Sequence, residues 1–263
     1  MKKNIKIIYR FFVFLLLQFG LDISRPLNFL KGLPRYINGI IKFKKLYKGK
    51  IELLPCLHDW YEEGGQTKGE YFLQDLYIAR KINEANPTRH LDIGSSVQGF
   101  VAHVASFRDI EVLDVREITS EIPGIIFRQS DLSLPINEIY REKYDSVSCL
   151  HALEHFGLGR YGDPIDPEGH KKGLRNMYDL LSENGLLYLS VPIGIERVEF
   201  NANRVFNPDT IMKECISLGF ELNNFILIQD SKVSELYLEE NLITQLSKQR
   251  YALGMFLFRK ISK

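Results

Sequence analysis

Cysteine is scarce. Cys56, Cys149 and Cys215 are far apart, odd in number and never in C-x-x-C spacing. That argues against a disulfide scaffold or a structural zinc knuckle, and for a reducing compartment. Alanine is absent before Ala79, so no small-residue cleavage site follows the apolar start and a secretory signal is not expected. Long uncharged runs are missing too. The apolar stretch from Ile5 to Leu21, with Phe11 to Leu17 unbroken, is interrupted by Lys6, Arg10 and Gln18, short of the about 20 residues a spanning helix needs. Internal repeats and low-complexity tracts are lacking. With 263 residues, 45% apolar and 25% charged, the chain is neither disordered nor collagen-like, and it suits one large domain, or one domain with an appendage.

Acidic residues are nearly missing from the first 50 positions, where nine Lys and three Arg face Asp22 alone. The net charge of +1 therefore hides a basic head on an acidic body. The expected layout is a basic, apolar helical arm over 1–50 and an α/β domain over 51–263. The arm reads as a helix lying in a membrane interface, followed by Lys31, Arg35, Lys42, Lys44, Lys45, Lys48 and Lys50, which places the protein in the cytoplasm, peripheral at the inner membrane face. The plainer reading is that the arm packs on the domain. Nucleic acid is not expected: Tyr36, Phe43 and Tyr47 stand among the lysines, but no groove-reading motif accompanies them.

In the body, short apolar strands alternate with helices. Helical spacing runs from Gly69 to Ala85, stopped by Asn86-Pro87. Strands are expected at 90–93, 110–113, 124–127, 146–150, 186–191, 220–228 and 251–258. Helices are expected at 100–107 and about 174–181 (capped by Asn184-Gly185), from Asn207-Pro208 to Gly219, and as a polar connection around 236–246. That order predicts a doubly wound, mostly parallel seven-stranded sheet with one antiparallel edge strand.

The sharpest local signal is His90-Leu-Asp-Ile-Gly-Ser-Ser96. Ligands of such sheets bind at the carboxyl ends of the strands. Asp92 and Gly94 end the first strand. Asp114, 22 positions on, ends the second at the spacing of a ribose-binding acid, and Asp131 follows the third. Taken singly, each acid could be a helix cap or turn former. Together they describe a polar rim around an adenosine-sized slot. The G-x-G-x-x-G of a dinucleotide site is absent.

This constellation resembles the class I S-adenosylmethionine-dependent methyltransferases, with their Rossmann-like fold, over roughly residues 70–260. The resemblance implies S-adenosylmethionine as cofactor, held by the turn of Asp92, Gly94, Ser95 and Ser96, by Asp114 at the ribose, by Asp131 at the adenine, and by His151. The chain departs from D-x-G-x-G-x-G: Ser96 and Gln98 stand at the second and third glycines, and Gly99 is displaced by one.

After the fourth strand, His151-Ala-Leu-Glu-His155 leads into a Gly- and Pro-rich loop to His170. Loops longer than about 12 residues in a compact domain are usually functional. A hydroxyl acceptor needs a base; His155 is the candidate, with Glu154 orienting it or sharing the task. Tyr161, Asp163 and Asp166 are substrate-side candidates, and Asp163, Asp166 and His170 could together take a hard divalent ion, although no metal is predicted. The plainer readings are solvated turn acids and a capped or buried His151. H-x-x-E-H also matches the inverted zinc-peptidase pattern, but a Gly-rich loop replaces the long helix that chemistry requires.

The stretches 57–82, 97–107, 151–170 and 189–206 are similar to a bacterial methyltransferase-like family of unknown function often encoded among surface-polysaccharide genes. That resemblance implies a sugar or glycolipid acceptor. Arg197, Asn201, Asn203 and Arg204 offer donors and acceptors suited to its hydroxyls. The expected activity is O-methyl transfer to such a saccharide; the alternative is a non-catalytic scaffold of the same fold, docking through residues 1–50 to polysaccharide enzymes or membrane. The oligomeric state is not legible.

Overall fold

The computed structural model describes residues 12–13, 15–22, 24–61, 64–65, 67 and 69–261. Most of the basic, apolar start, from Lys2 to Phe11 and including Phe14, lies outside the described residues. Contacts divide the chain into two compact units, 1–66 and 67–263. In the first unit, α1 (Ser24–Leu46) carries Pro34 inside it and Lys44 and Lys45 in its last turn. Gly32 lets the following chain close on the helix: a Cβ there would stand 2.9 Å from the Leu57 Cβ. The Arg35 guanidinium stacks 3.4 Å from the centroid of Trp60, which lies in a single 3-10 turn, Asp59–Tyr61.

The second unit begins with α2 (Glu70–Ala85), ended by Asn86 in the left-handed conformation. Its sheet has eight strands in the order β3-β2-β1-β4-β5-β10-β8-β9: β1 (His90–Ile93), β2 (Ile110–Asp114), β3 (Ile125–Gln129), β4 (Tyr144–Leu150), β5 (Leu181–Ile193), β8 (Phe220–Gln229), β9 (Lys232–Leu236) and β10 (Ala252–Lys260). β1, β2, β3, β4 and β5 pair in parallel. Two further strands, β6 (Arg197–Glu199) and β7 (Asn203–Val205), form a separate hairpin. α2 and α3 (Ala102–Ala105) pack through Ile78, Ile82 and Val104 into one buried cluster, and α4 (Gly169–Leu180) and α5 (Pro208–Leu218) through Leu174, Met177, Ile211 and Cys215 into the other. The mixed α/β, mostly parallel, doubly wound architecture is the expected one.

Three details differ from expectation. The sheet does end in an antiparallel strand, as expected, but β10 is not that strand; it lies between β5 and β8. The true edge is β9, a strand the sequence hid. It follows β8 through Asp230-Ser231, both with φ above 50°, a two-residue hairpin turn made without glycine. Asn184-Gly185 caps no helix. α4 already ends at Leu180, and Asn184 (φ 60°) turns within an irregularity of β5, whose register against β4 jumps between Tyr144 and Ser146. Asn207 does cap α5, accepting from the Asp209 N–H, and Gly219 (φ 112°) closes it.

Candidate functional site

β1 and β4 are neighbours from which the strand order runs outward in opposite directions, so a crevice opens beyond their carboxyl ends. At Gly94 the chain turns with φ 69°, and its N–H donates to the Leu113 carbonyl at 2.9 Å. A Cβ at that glycine would stand 3.0 Å from that of Ala152. Beyond it lies a narrow cavity of about 60 Å³, bordered by Gly94, Asp114, Asp131, His151, His155 and Tyr161 among others. A more open hollow of about 400 Å³ adjoins it, sharing Gly94, Asp114, Arg116, His151 and Tyr161 and adding Tyr71, Ser95 and Ser96. Ligand pockets typically hold about 300–1,000 Å³, so the narrow cavity alone is too small for a nucleoside and the adjoining hollow is within range.

Of the three strand-tip acids, Asp114 and Asp131 border the cavity and Asp92 does not. Asp92 is fully buried beneath the turn, accepting from the Ser95 N–H (3.0 Å) and from the hydroxyls of Ser95 and Ser148 (each 2.6 Å). Ser148 and Ser146 also flank the His90 ring, at 3.1 and 2.7 Å. Burial raises the Asp92 carboxyl to about 6 and lowers the His90 imidazole to about 3. Asp92 therefore shapes the cradle from behind.

Asp131 accepts the Ser133 N–H and hydroxyl on Oδ1, at 2.8 and 2.7 Å, and its Oδ2 is buried without a partner. Asp114 is in the opposite condition. Arg116 donates to it from Nε (3.0 Å), from Nη2 (2.7 Å) and from the backbone N–H (2.8 Å). The half-exposed Arg116 guanidinium also lies 4.6 Å from the Tyr161 ring. Sequence reasoning missed Arg116, although its place two residues after the acid was a readable sign.

The displaced Gly99 also has an explanation. A Cβ there would meet Asp75 Oδ2 at 2.3 Å. Asp75, on α2, lies under the π-helical turn Val97–Val101, and burial raises its carboxyl pKa. The glycine needed at this turn thus sits where a buried acid approaches, not where a fully glycine-rich loop would put it.

Two histidines, both just beyond the carboxyl end of β4, also border the cavity. His151 follows β4 with φ 52°, an uncommon backbone state for a non-glycine residue. Its Nδ1 is 2.7 Å from Glu154 Oε1, and the Tyr71 ring lies 4.5 Å away, centroid to centroid. His151 Nε2 and Glu154 Oε2 are both buried without a partner; such orphaned atoms invite a functional explanation. Burial, then Glu154, pushes the Tyr71 hydroxyl up to about 12. Glu154 orients His151 rather than His155, whose Nε2 is 3.8 Å from that carboxylate. His155 Nδ1 is instead 2.7 Å from the Ala202 carbonyl, in the turn between β6 and β7. Burial lowers the His155 pKa. A neutral ring donating from Nδ1 to that carbonyl keeps a lone pair on Nε2.

The substrate-side candidates mostly serve the loop itself. Asp163 borders the cavity but accepts the N–H groups of Gly157, Gly159 and Tyr161 at 3.0–3.1 Å. Asp166 takes the Glu168 N–H (3.0 Å) and Lys172 Nζ (2.6 Å). Arg204 is only 5% exposed and donates to the carbonyls of Phe156 (2.5 Å) and Pro167 (3.3 Å), tying the loop's ends together. Arg197 bonds Glu199 and the carbonyls of Ile195 and Arg250, and the Asn203 amide bonds the Arg204 carbonyl. Asn201 is exposed in the β6–β7 turn. His170 packs on Phe206, its pKa lowered to about 4 by burial. Among the described residues no group of three His, Cys, Asp or Glu is placed to hold a metal.

A family described as "Caenorhabditis protein of unknown function, DUF268" matches residues 109–261, more than half of the chain. The chain belongs to the DUF268 family. No curated protein matches it. Among solved structures it is similar to the 1,6-didemethyltoxoflavin-N1-methyltransferase of Burkholderia thailandensis, crystallised with its substrate and S-adenosylhomocysteine. There the TM-score is 0.50 at 11% identity, covering 73% of this chain and 80% of that one. Others include the N-methyltransferase NodS of Bradyrhizobium japonicum with S-adenosylhomocysteine (TM-score 0.49, 14% identity, 77% and 92% covered). A Clostridium acetobutylicum S-adenosylmethionine-dependent methyltransferase scores 0.48 at 13% identity, with 74% and 93% covered. At such identities the likeness is one of fold: the chain has a Rossmann-like methyltransferase fold.

Proposed function

We propose that this chain transfers the methyl group of S-adenosylmethionine to a hydroxyl of a saccharide or saccharide-lipid. The observation that carries the cofactor is the strand-tip geometry: Gly94, Asp114 and Asp131, at the ends of three neighbouring parallel strands, open on one cavity. The buried, unpartnered Asp131 Oδ2 suits an amine donor, and the Gly94 turn leaves backbone room beside it. Bound there, the cofactor supplies an activated methyl on a sulfonium sulfur. Asp114 would take the ribose hydroxyls in competition with Arg116, and Asp131 the adenine. His155, neutral near pH 7 and held by Ala202, would accept the proton of the attacking hydroxyl on Nε2. The saccharide rests on the resemblance to polysaccharide-associated proteins, with Tyr161 and Asn201 as the polar side chains offered to it.

One observation favours the scaffold reading: both Asp114 oxygens are already taken by Arg116. Calorimetric titration with S-adenosylhomocysteine separates the two. The enzyme reading expects saturable one-site binding that Asp131→Ala weakens about tenfold. Absence of heat at millimolar ligand would hand the fold to the scaffold. For the acceptor, a deletion strain should lose a methyl ether from its surface polysaccharide.

A further inference from the structure

α1 carries an exposed apolar row. Leu27, Leu30, Ile37 and Ile41 are each 53–61% exposed, and at 100° per residue they fall within roughly 80° of arc. Pro34 shares that face and is exposed. The helix's packed side is a different one, with Gly32 against Leu57 and Phe29, Leu33, Tyr36 and Ile40 half-buried. Beside the apolar row runs a second exposed row of Lys31, Arg35, Lys42 and Lys45, centred about 90° further round. No acid occurs between Asp22 and Glu52, so nothing on the helix offsets this charge. Among the described residues no helix is long and apolar enough to cross a membrane.

An apolar stripe flanked by cations on a helix too polar to span is the pattern of an element lying in a bilayer interface. We propose that α1 docks flat on an anionic lipid surface, its leucines and isoleucines among the acyl chain ends and its lysines at the phosphates. Charge complementarity selects this occupant over a second α1, which would present the same basic row and repel it.

The test uses the full chain and sedimentation with vesicles of phosphatidylcholine alone or with 30% phosphatidylglycerol. Partitioning at 0.1 M salt should be at least tenfold greater onto the anionic vesicles and should fall at least fivefold at 0.5 M, since charges at a surface are screened by salt. Lys31→Gln with Lys42→Gln, which keeps the apolar row and good helix formers, should lower it about tenfold. The combined Leu27→Ser, Leu30→Ser, Ile37→Ser and Ile41→Ser variant should lower it at least tenfold. Equal partitioning onto both vesicle types, or none onto either, would overturn the proposal. So would a dimer in sedimentation velocity that the four serines dissolve while vesicles recruit nothing. None of these outcomes depends on S-adenosylhomocysteine binding, so this proposal and the methyltransferase reading fail separately.

Discussion

The two halves of the sheet solve different problems. From β3 to β4 the strands bury His90, Asp92, Asp114, Ser146 and Ser148 and deliver polar groups to a cavity at their tips. From β5 outward the interior is largely aliphatic and aromatic: Phe225, Phe256 and Phe258 pack ring on ring, the last two nearly parallel at 5.8 Å. Close-packed apolar side chains give stability without directional demands. Buried polar groups cost stability unless each is hydrogen-bonded, and are kept where geometry matters. The contrast teaches that stability and ligand binding are held in different strands and can be damaged separately.

The largest expected effect tests the apolar half. Phe256→Ala should cost about 3–5 kcal/mol of stability through the cavity it leaves, read by denaturant unfolding. The folded protein should keep its affinity for S-adenosylhomocysteine. Loss of binding in that variant would erase the division.

Next comes the polar half's response to acid. The Asp92 carboxyl is raised to about 6, so protonation below that pH favours the native state. The His90 imidazole is lowered to about 3, so between there and 6.5 the unfolded chain holds more protons and stability falls as pH falls. The two slopes oppose one another. From pH 7 to 5 His90 alone costs roughly 2 kcal/mol and Asp92 returns about 1. Asp92→Asn should therefore lose about 1 kcal/mol more than the natural chain over that interval in urea melts; equal losses would sever the pair.

At the turn, Gly94→Ala should cost about 1–2 kcal/mol, since the residue sits at φ 69° with Ala152 in reach of the new methyl. It should also weaken S-adenosylhomocysteine binding about tenfold by calorimetry. The smallest stability effect belongs to Asp114→Asn: about 1 kcal/mol, because the buried carboxylate loses its charge-assisted bonds but its partner Arg116 is half-exposed and returns to water. Affinity should still fall roughly tenfold. A large loss of stability with affinity intact would make Asp114 structural.

What the sequence revealed follows the same line. Periodicity and caps are local, so α2, the Asn207–Gly219 helix and the parallel strands were readable. β9 was not, because Lys232–Leu236 is mostly exposed and its turn uses Asp-Ser where glycine is the usual sign. Nor was the interior place of β10, which is settled by pairing with β5 over eight residues and not by local pattern. Within the site, strand ends located Gly94, Asp114 and Asp131 at one cavity. The backbone bonds of Asp163, Asp166 and Arg204 were not legible, because their partners in the loop are set by the loop's folded path and not by local pattern. The His151–Glu154 pair lay concealed in a motif that seemed to belong to His155.

A crystal structure of the chain with S-adenosylhomocysteine addresses the central claim most directly. The adenosine should lie between Asp114 and Asp131 over Gly94, with Arg116 withdrawn from at least one Asp114 oxygen. An adenosine bound elsewhere, or a crystal grown in millimolar ligand with Arg116 still closed over an empty cavity, would contradict the account.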